Sequence, residues 1–161
     1  LQTAAPSIYA LGDVIGGMEL TPVALAEGMN LARRLYGGID QAMDYEYIPT
    51  AIFCQPNIGT VGYSEEQARE KFGDISVFTS QFKHLKHTLT ENPSKVFLKL
   101  IVDKASDRVV GVHMLGDDAG ELIQGFAVAI KAGATKAVFD PTIGFHPSVA
   151  EYFVTMREAS R

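Results

Sequence analysis

Val96-Phe-Leu-Lys-Leu-Ile-Val102 and Val109-Val-Gly-Val-His-Met-Leu115 are two β-type runs separated by the polar stretch Lys104–Arg108. Branched and aromatic residues on both sides of a short polar turn read as a hairpin, which makes the pairing antiparallel. Working outward, Ala51–Cys54, Ile58–Tyr63 and Ile75–Phe82 are further runs of the same kind. A helix over Ser64–Phe72 interrupts them, opened by Ser64 with Glu65 and Glu66 in its first turn, where negative charge suits the helix dipole. Beyond the hairpin, Gly120–Lys131 repeats Leu122, Ile123, Phe126, Ala127 and Ile130 at helical spacing and stops before Gly133. A short helical turn around Thr135–Val138 leads to Asp140-Pro141, Phe145-His146-Pro147 and a terminal helix over Ser148–Met156. The expected class is α+β: a mostly antiparallel sheet with helices packed on one side, spanning residues 48–161.

Residues 1–40 read differently. Ile8–Leu11 has the form of a short buried strand ending at Gly12-Asp13, and Gly16-Gly17 continues a loop. Thr21 as N-cap and Pro22 in the first turn open a helix whose apolar residues, from Val23 to Leu35, run to Gly37-Gly38. One strand and one helix bury too little to stand alone, so this unit is expected to pack on a surface from elsewhere. Gly38–Tyr47 is polar enough to connect the two parts, and Leu1-Gln-Thr-Ala-Ala-Pro6, without Met, basic n-region or apolar h-region, reads as a cut edge.

The 161 residues are 47% hydrophobic and 20% charged, an ordinary globular balance. Lysine and arginine number 14 against 19 acids, a net charge of −5, so no basic stripe invites nucleic acid. No apolar run approaches the roughly 20 residues that span a bilayer, so no membrane partner is expected. Cys54 is the only cysteine, which excludes an internal disulfide and a cysteine-rich metal site and points to a reducing, cytoplasmic setting. No metal site is expected.

His146 and Asp13 are the main chemical candidates. His146 precedes Pro147, a residue suited to the first position of the final helix, so its ring is expected near that helix start. Glu151 lies five residues on, and five residues turn through about 500° in an ideal helix, so the two meet only if His146 folds back from outside it. Such a pair is a general acid–base device; the alternative is a surface histidine beside a helix start. Asp13, just after a strand and a glycine, stands where open α/β folds bind ligands, or else it simply forms a turn. Cys54 reads as a packed small hydrophobe, His84 and His87 as solvated strand-end or loop residues, and His113 as structural.

Ile8-Tyr-Ala-Leu-Gly-Asp-Val14, Leu20-Thr-Pro-Val-Ala24, Pro56-Asn-Ile-Gly-Thr-Val-Gly62 and His146-Pro-Ser-Val-Ala-Glu151, running on to Phe153-Val-Thr-Met-Arg157, occur in that order. Gln124–Ala129 and Gly133–Lys136 add to the set. Together they resemble the C-terminal part of the flavin-dependent pyridine nucleotide–disulfide oxidoreductases. The resemblance implies the end of an FAD domain over residues 1–40 and an interface domain that pairs two subunits as a homodimer, with Gly120–Lys131 central. It implies FAD and NADPH in the intact enzyme, neither retained by this piece, because the flavin fingerprint, the redox cysteine pair and the NADPH domain are missing. By the same resemblance Asp13 holds the flavin ribitol, and Leu20 and Thr21 present a helix start to its pyrimidine edge. The Pro147 backbone approaches the flavin, while His146, held by Glu151 and preceding a cis peptide bond, protonates a departing thiolate across the dimer.

The segments Leu20–Ala24 and Phe153–Arg157 favour the branch acting on glutathione disulfide, with Thr21, Met29 and Thr155 near substrate. Trypanothione, mercuric or dihydrolipoyl reductase relatives are the alternatives, as is an interaction module that has lost catalysis. Met29 stands where some members carry an arginine for a substrate carboxylate, Ser148 where threonine is commoner, and Tyr152 where a second glutamate stands.

Overall fold

Tyr9 pairs with Gln2 in an isolated antiparallel bridge, after which the chain turns at Gly12, φ +69°, into a 3₁₀ turn over Gly12–Ile15. A strand expected over Ile8–Leu11 is therefore absent. A strand needs a ladder, and the only backbone beside this run is the Gln2 segment, which leaves Ile8 exposed. Helix α1, Thr21–Tyr36, follows. Thr21 is its first residue rather than its N-cap: extended Leu20 holds that place, and its carbonyl accepts the N–H groups of Val23 and Ala24. No side chain caps this helix start. Gly37 ends it, donating its N–H to the Arg33 carbonyl at 2.8 Å.

The computed structural model describes every residue from Leu1 to Arg161 and resolves them into two compact units, Leu1–Tyr45 and Glu46–Arg161. The second unit is built on β1 (Thr50–Ile52), β2 (Ile58–Gly62), β3 (Ile75–Lys83), β4 (Lys95–Asp103) and β5 (Val109–Leu115). These form one sheet in the order β1-β2-β5-β4-β3, antiparallel throughout. The β4–β5 hairpin sits near its centre, with Leu98 opposite Met114 and Leu100 opposite Val112. Its polar turn closes because the Asp103 carboxylate accepts the N–H groups of Ala105 and Ser106.

Side chains alternate across the sheet, so each strand feeds both faces. Val61, Leu98, Leu100, Val112 and Met114 form one face. Over it lie α3 (Ala119–Lys131), α4 (Lys136–Phe139) and α5 (Glu151–Thr155), bringing Ile123, Ile130, Phe139 and Phe153. At this face Gly59 allows a close approach: a Cβ there would lie 2.5 Å from the Ala119 carbonyl oxygen. Thus the α+β architecture is the one expected, but the helices are not confined to one side: α3, α4 and α5 cover this face and α2 (Glu65–Phe72) covers the other. A smaller cluster lies on that other face, where α2 packs Ala68 against Ile75, Val77 and Ile101. Helix α2 starts with a complete capping box, Ser64 accepting from Gln67 N–H while the Gln67 side chain accepts from Ser64 N–H.

Glu65 ties α2 to this second face. Its carboxylate accepts from Arg161 Nη2 at 2.6 Å and from Lys99 Nζ at 2.7 Å. Hydrogen bonds from Arg161 first and Lys99 second pull its carboxyl down from 4.5 to about 2. A carboxylate with a lowered folded-state pKa stabilises the fold fully above its unfolded value, and that stabilisation disappears as pH falls toward the folded one. The expected result is a stability loss between pH 4.5 and about 2 that Glu65→Gln reduces, followed by thermal unfolding across that range. Parallel pH profiles for the two proteins would refute this assignment.

Candidate functional site

The loop from Asp140 to Ser148 carries His146 and is pinned at both ends. Lys136, 5% exposed, donates from Nζ to the Met156 carbonyl at 2.7 Å and also to the Asp140 carboxylate. Arg157 reaches the same carboxylate at 2.9 Å. A buried ammonium is tolerated because these partners, with the Phe78 ring 4.4 Å away, replace its water. At the other end, Ser148 Oγ accepts the Glu151 N–H at 3.2 Å.

That bond changes the expected helix start. Pro147 is not the first residue of the final helix, which begins at Glu151, not Ser148, and ends at Thr155. Ala150 is the N-cap, the Ser148 hydroxyl accepts the N–H of the first helical residue, and the first turn closes through shorter i→i+3 bonds from Tyr152 N–H to Val149 and from Phe153 N–H to Ala150. The His146–Pro147 peptide is cis.

Outside the helix, His146 folds back, and its Nδ1 lies 3.0 Å and 3.1 Å from the two Glu151 carboxylate oxygens. The imidazole side chain is 81% exposed while the Glu151 side chain is 16% exposed. With Nδ1–H donated to the carboxylate, Nε2 is the position left for proton exchange. Gly144 makes this packing possible: a Cβ there would sit 2.7 Å from Glu151 Cβ.

His146 and Glu151 border a cleft of about 240 Å³ whose wall includes Phe82, Lys83, His84 and Tyr152. Tyr152 stacks on Phe82 with ring centroids 3.7 Å apart and so lends the cleft an aromatic wall. His84 was expected on a solvated strand end; it is half-buried in this cleft, and its Nδ1 accepts the Lys86 N–H at 3.1 Å. Burial, and then the Lys86 charge, push its pKa below the ordinary histidine value, which keeps the ring neutral at neutral pH. His87 finds Asp117 at 3.4 Å, a partner no local spacing disclosed. Thr155 is exposed on α5, its hydroxyl 3.4 Å from the Tyr152 carbonyl, and Pro147 is exposed as well.

In the first unit, Asp13 lies exposed in the 3₁₀ turn, Leu20 is half-buried, Thr21 is exposed at the α1 start and Met29 is exposed further along α1. Glu27 escaped the sequence reading. It is 2% exposed, and its carboxylate accepts the Gly12 N–H at 2.6 Å and the Tyr45 hydroxyl at 2.7 Å. The available signal was its place four residues after Val23, an acid on the buried stripe of the helix. His113 is structural, as expected: Thr60 Oγ1 lies 2.6 Å from Nδ1 and the Tyr63 carbonyl 3.0 Å from Nε2. Cys54 departs from expectation. It is exposed, because edge strand β1 ends at Ile52 and nothing covers the chain beyond it.

An antiparallel sheet with helices packed on it is the architecture of a disulfide-reductase dimerisation domain. Residues 48–157 match the family described as pyridine nucleotide-disulphide oxidoreductase, dimerisation domain, and the chain belongs to that family. It is 54% identical over 160 residues to the chloroplastic/mitochondrial glutathione reductase of Pisum sativum, covering 99% of this chain and 29% of the relative. Glutathione reductase of Burkholderia cepacia is 47% identical over 97% of this chain and 35% of its own length. Among solved structures, the HOCl-induced flavoprotein disulfide reductase RclA from Escherichia coli superposes with a TM-score of 0.80 at 30% identity, over 95% of this chain and 35% of that one. The chain thus spans about a third of the length of the curated relatives it matches. No helix is long and apolar enough to cross a membrane.

Proposed function

We propose that this chain is the C-terminal part of an NADPH- and FAD-dependent glutathione-disulfide reductase, contributing its proton donor and its homodimer interface. The observation that carries the reading is the His146–Glu151 pair, at 3.0 Å and exposed beside a cleft. Reduction of glutathione disulfide by a thiolate forms one sulfur–sulfur bond and breaks another, and the departing sulfur leaves as a thiolate that takes a proton. His146 supplies that proton from Nε2, and Glu151, bonded at Nδ1, orients the ring. Lys83, on the cleft wall, offers a cation to the carboxylates of a glutathione chain.

The first unit fits a flavin. Asp13 presents an exposed carboxylate to a ribitol hydroxyl, and no side chain hydrogen-bonds the start of α1, so half-buried Leu20 and exposed Thr21 present its positive end to an electron-rich ring edge. When bound, the flavin passes electrons from NADPH to the family's cysteine pair. Pro147 approaches the flavin, and Met29 and Thr155 face substrate, in the same reading. Residues 1–40 are accordingly the end of an FAD domain and residues 48–161 the interface domain, with α3 at the centre of an isologous dimer. By itself the chain dimerises without flavin and turns nothing over.

Substrate choice is tested on the full-length gene product. NADPH oxidation should depend on glutathione disulfide, with lipoamide and trypanothione disulfide at least tenfold slower. A comparable or faster rate on either of those would move the chain to a neighbouring branch of the family.

A further inference from the structure

Glu27 is the buried acid of the first unit that the proposed chemistry leaves without a role. Its two oxygens are committed to different parts of the chain: Oε2 to the Gly12 N–H at 2.6 Å and Oε1 to the Tyr45 hydroxyl at 2.7 Å. Gly12 is the residue immediately before Asp13 and carries a positive φ of +69°. A Cβ added to it would stand 3.3 Å from Ala24 Cβ, so the turn already rides close on α1. One turn further along the helix, the Glu27 carboxylate grips the Gly12–Asp13 turn by its backbone. The Asp13 carbonyl completes the 3₁₀ turn by accepting the Gly16 N–H at 3.0 Å. The charge has no other purpose evident in the unit: it is 2% exposed, and Tyr45, whose hydroxyl it binds, is held above the ordinary phenol range by that same hydrogen bond.

We infer that Glu27 is a positioning residue for the flavin site: its carboxylate fixes the Gly12 peptide and thereby the direction in which Asp13 presents its own carboxylate to the ribitol. The inference rests on the reading of Asp13 as the ribitol ligand. A buried backbone N–H without its acceptor costs free energy, and an aspartate turn freed from α1 samples orientations that a ligand must pay to restrict. Glu27 does this without touching the flavin, and carboxylate reach matters more than carboxylate charge.

The experiment is FAD titration of the apo form of the full-length protein, read by quenching of flavin fluorescence, with Glu27→Asp, Glu27→Gln, Tyr45→Phe, Asp13→Asn and the Glu27→Asp/Asp13→Asn double variant. Glu27→Asp keeps the charge but withdraws it by one methylene, and it should weaken FAD binding about tenfold, the scale of one charge-assisted hydrogen bond. Glu27→Gln keeps an oxygen within reach of the Gly12 N–H and should restore binding to within about threefold of wild type. Tyr45→Phe leaves the Gly12 contact in place and should change affinity less than about threefold. In the double variant, the Glu27 change should cost no more than about twofold beyond Asp13→Asn alone, because both act on one contact. If Asp13→Asn itself leaves FAD affinity unchanged, the ribitol reading fails, and the role of Glu27 with it. If Asp13→Asn weakens binding while Glu27→Asp is neutral or fully additive, Asp13 stands as the ligand and Glu27 is only a structural acid.

Discussion

Replacement of His146 by alanine in the full-length protein is expected to lower turnover of glutathione disulfide by about 10²–10⁴-fold, the range for losing a positioned general acid. The imidazole is 81% exposed and bonded only through Nδ1 to Glu151, so its removal leaves no cavity in the core. Loss of activity would therefore report chemistry rather than unfolding. Reduction of the flavin by NADPH, followed by the change in its absorbance, should proceed at the wild-type rate, since that half of the cycle needs no proton from His146. An unchanged kcat for glutathione disulfide would remove His146 from the reaction.

The second large effect is structural. Phe153 is fully buried, and its ring lies 4.4 Å from that of Phe126 in α3. Phe153→Ala should destabilise the second unit by about 3–5 kcal/mol, from lost transfer energy and the cavity left behind. The consequence extends to the site, because Phe153 anchors α5, whose first residue is Glu151. Denaturant unfolding checks the first part, and an activity loss at temperatures where the variant is still folded checks the second. A loss below about 1 kcal/mol would mean that α5 is held mainly by Lys136 and the loop bonds rather than by the aromatic contact.

The sheet was legible because its evidence is local. Val109–Leu115 forms β5 with the expected bounds, and Val96–Val102 lies inside β4, since apolar runs flanking a polar turn need no distant knowledge to pair. Helix α2 was equally open, its capping box written in adjacent residues. What stayed hidden depends on residues far apart in the chain. Ile8–Leu11 has strand composition but no ladder beside it, and Cys54 has hydrophobic neighbours but lies past the end of an edge strand. His84 joins His146 in one cleft across more than sixty positions, which no spacing rule reaches. The terminal helix starts at Glu151 rather than at Ser148, because the residues between Pro147 and Ala150 form a turn in which Ser148 Oγ accepts the Glu151 N–H. Spacing left the His146–Glu151 contact open, since the two meet only if His146 lies outside the helix; the structure places it outside α5, with Nδ1 3.0 Å from the Glu151 carboxylate.

In the proposed enzyme the acid and the redox dithiol of each site come from different subunits. The most direct test is activity after dissociating and reassociating two inactive proteins, His146→Ala and a variant lacking the family's redox cysteine pair. Random reassociation of equal amounts makes half the dimers mixed, each with one intact site, so activity should return to about a quarter of wild type. Mixtures that stay inactive, although mixed dimers form, would show that both groups act within one subunit and would contradict the account.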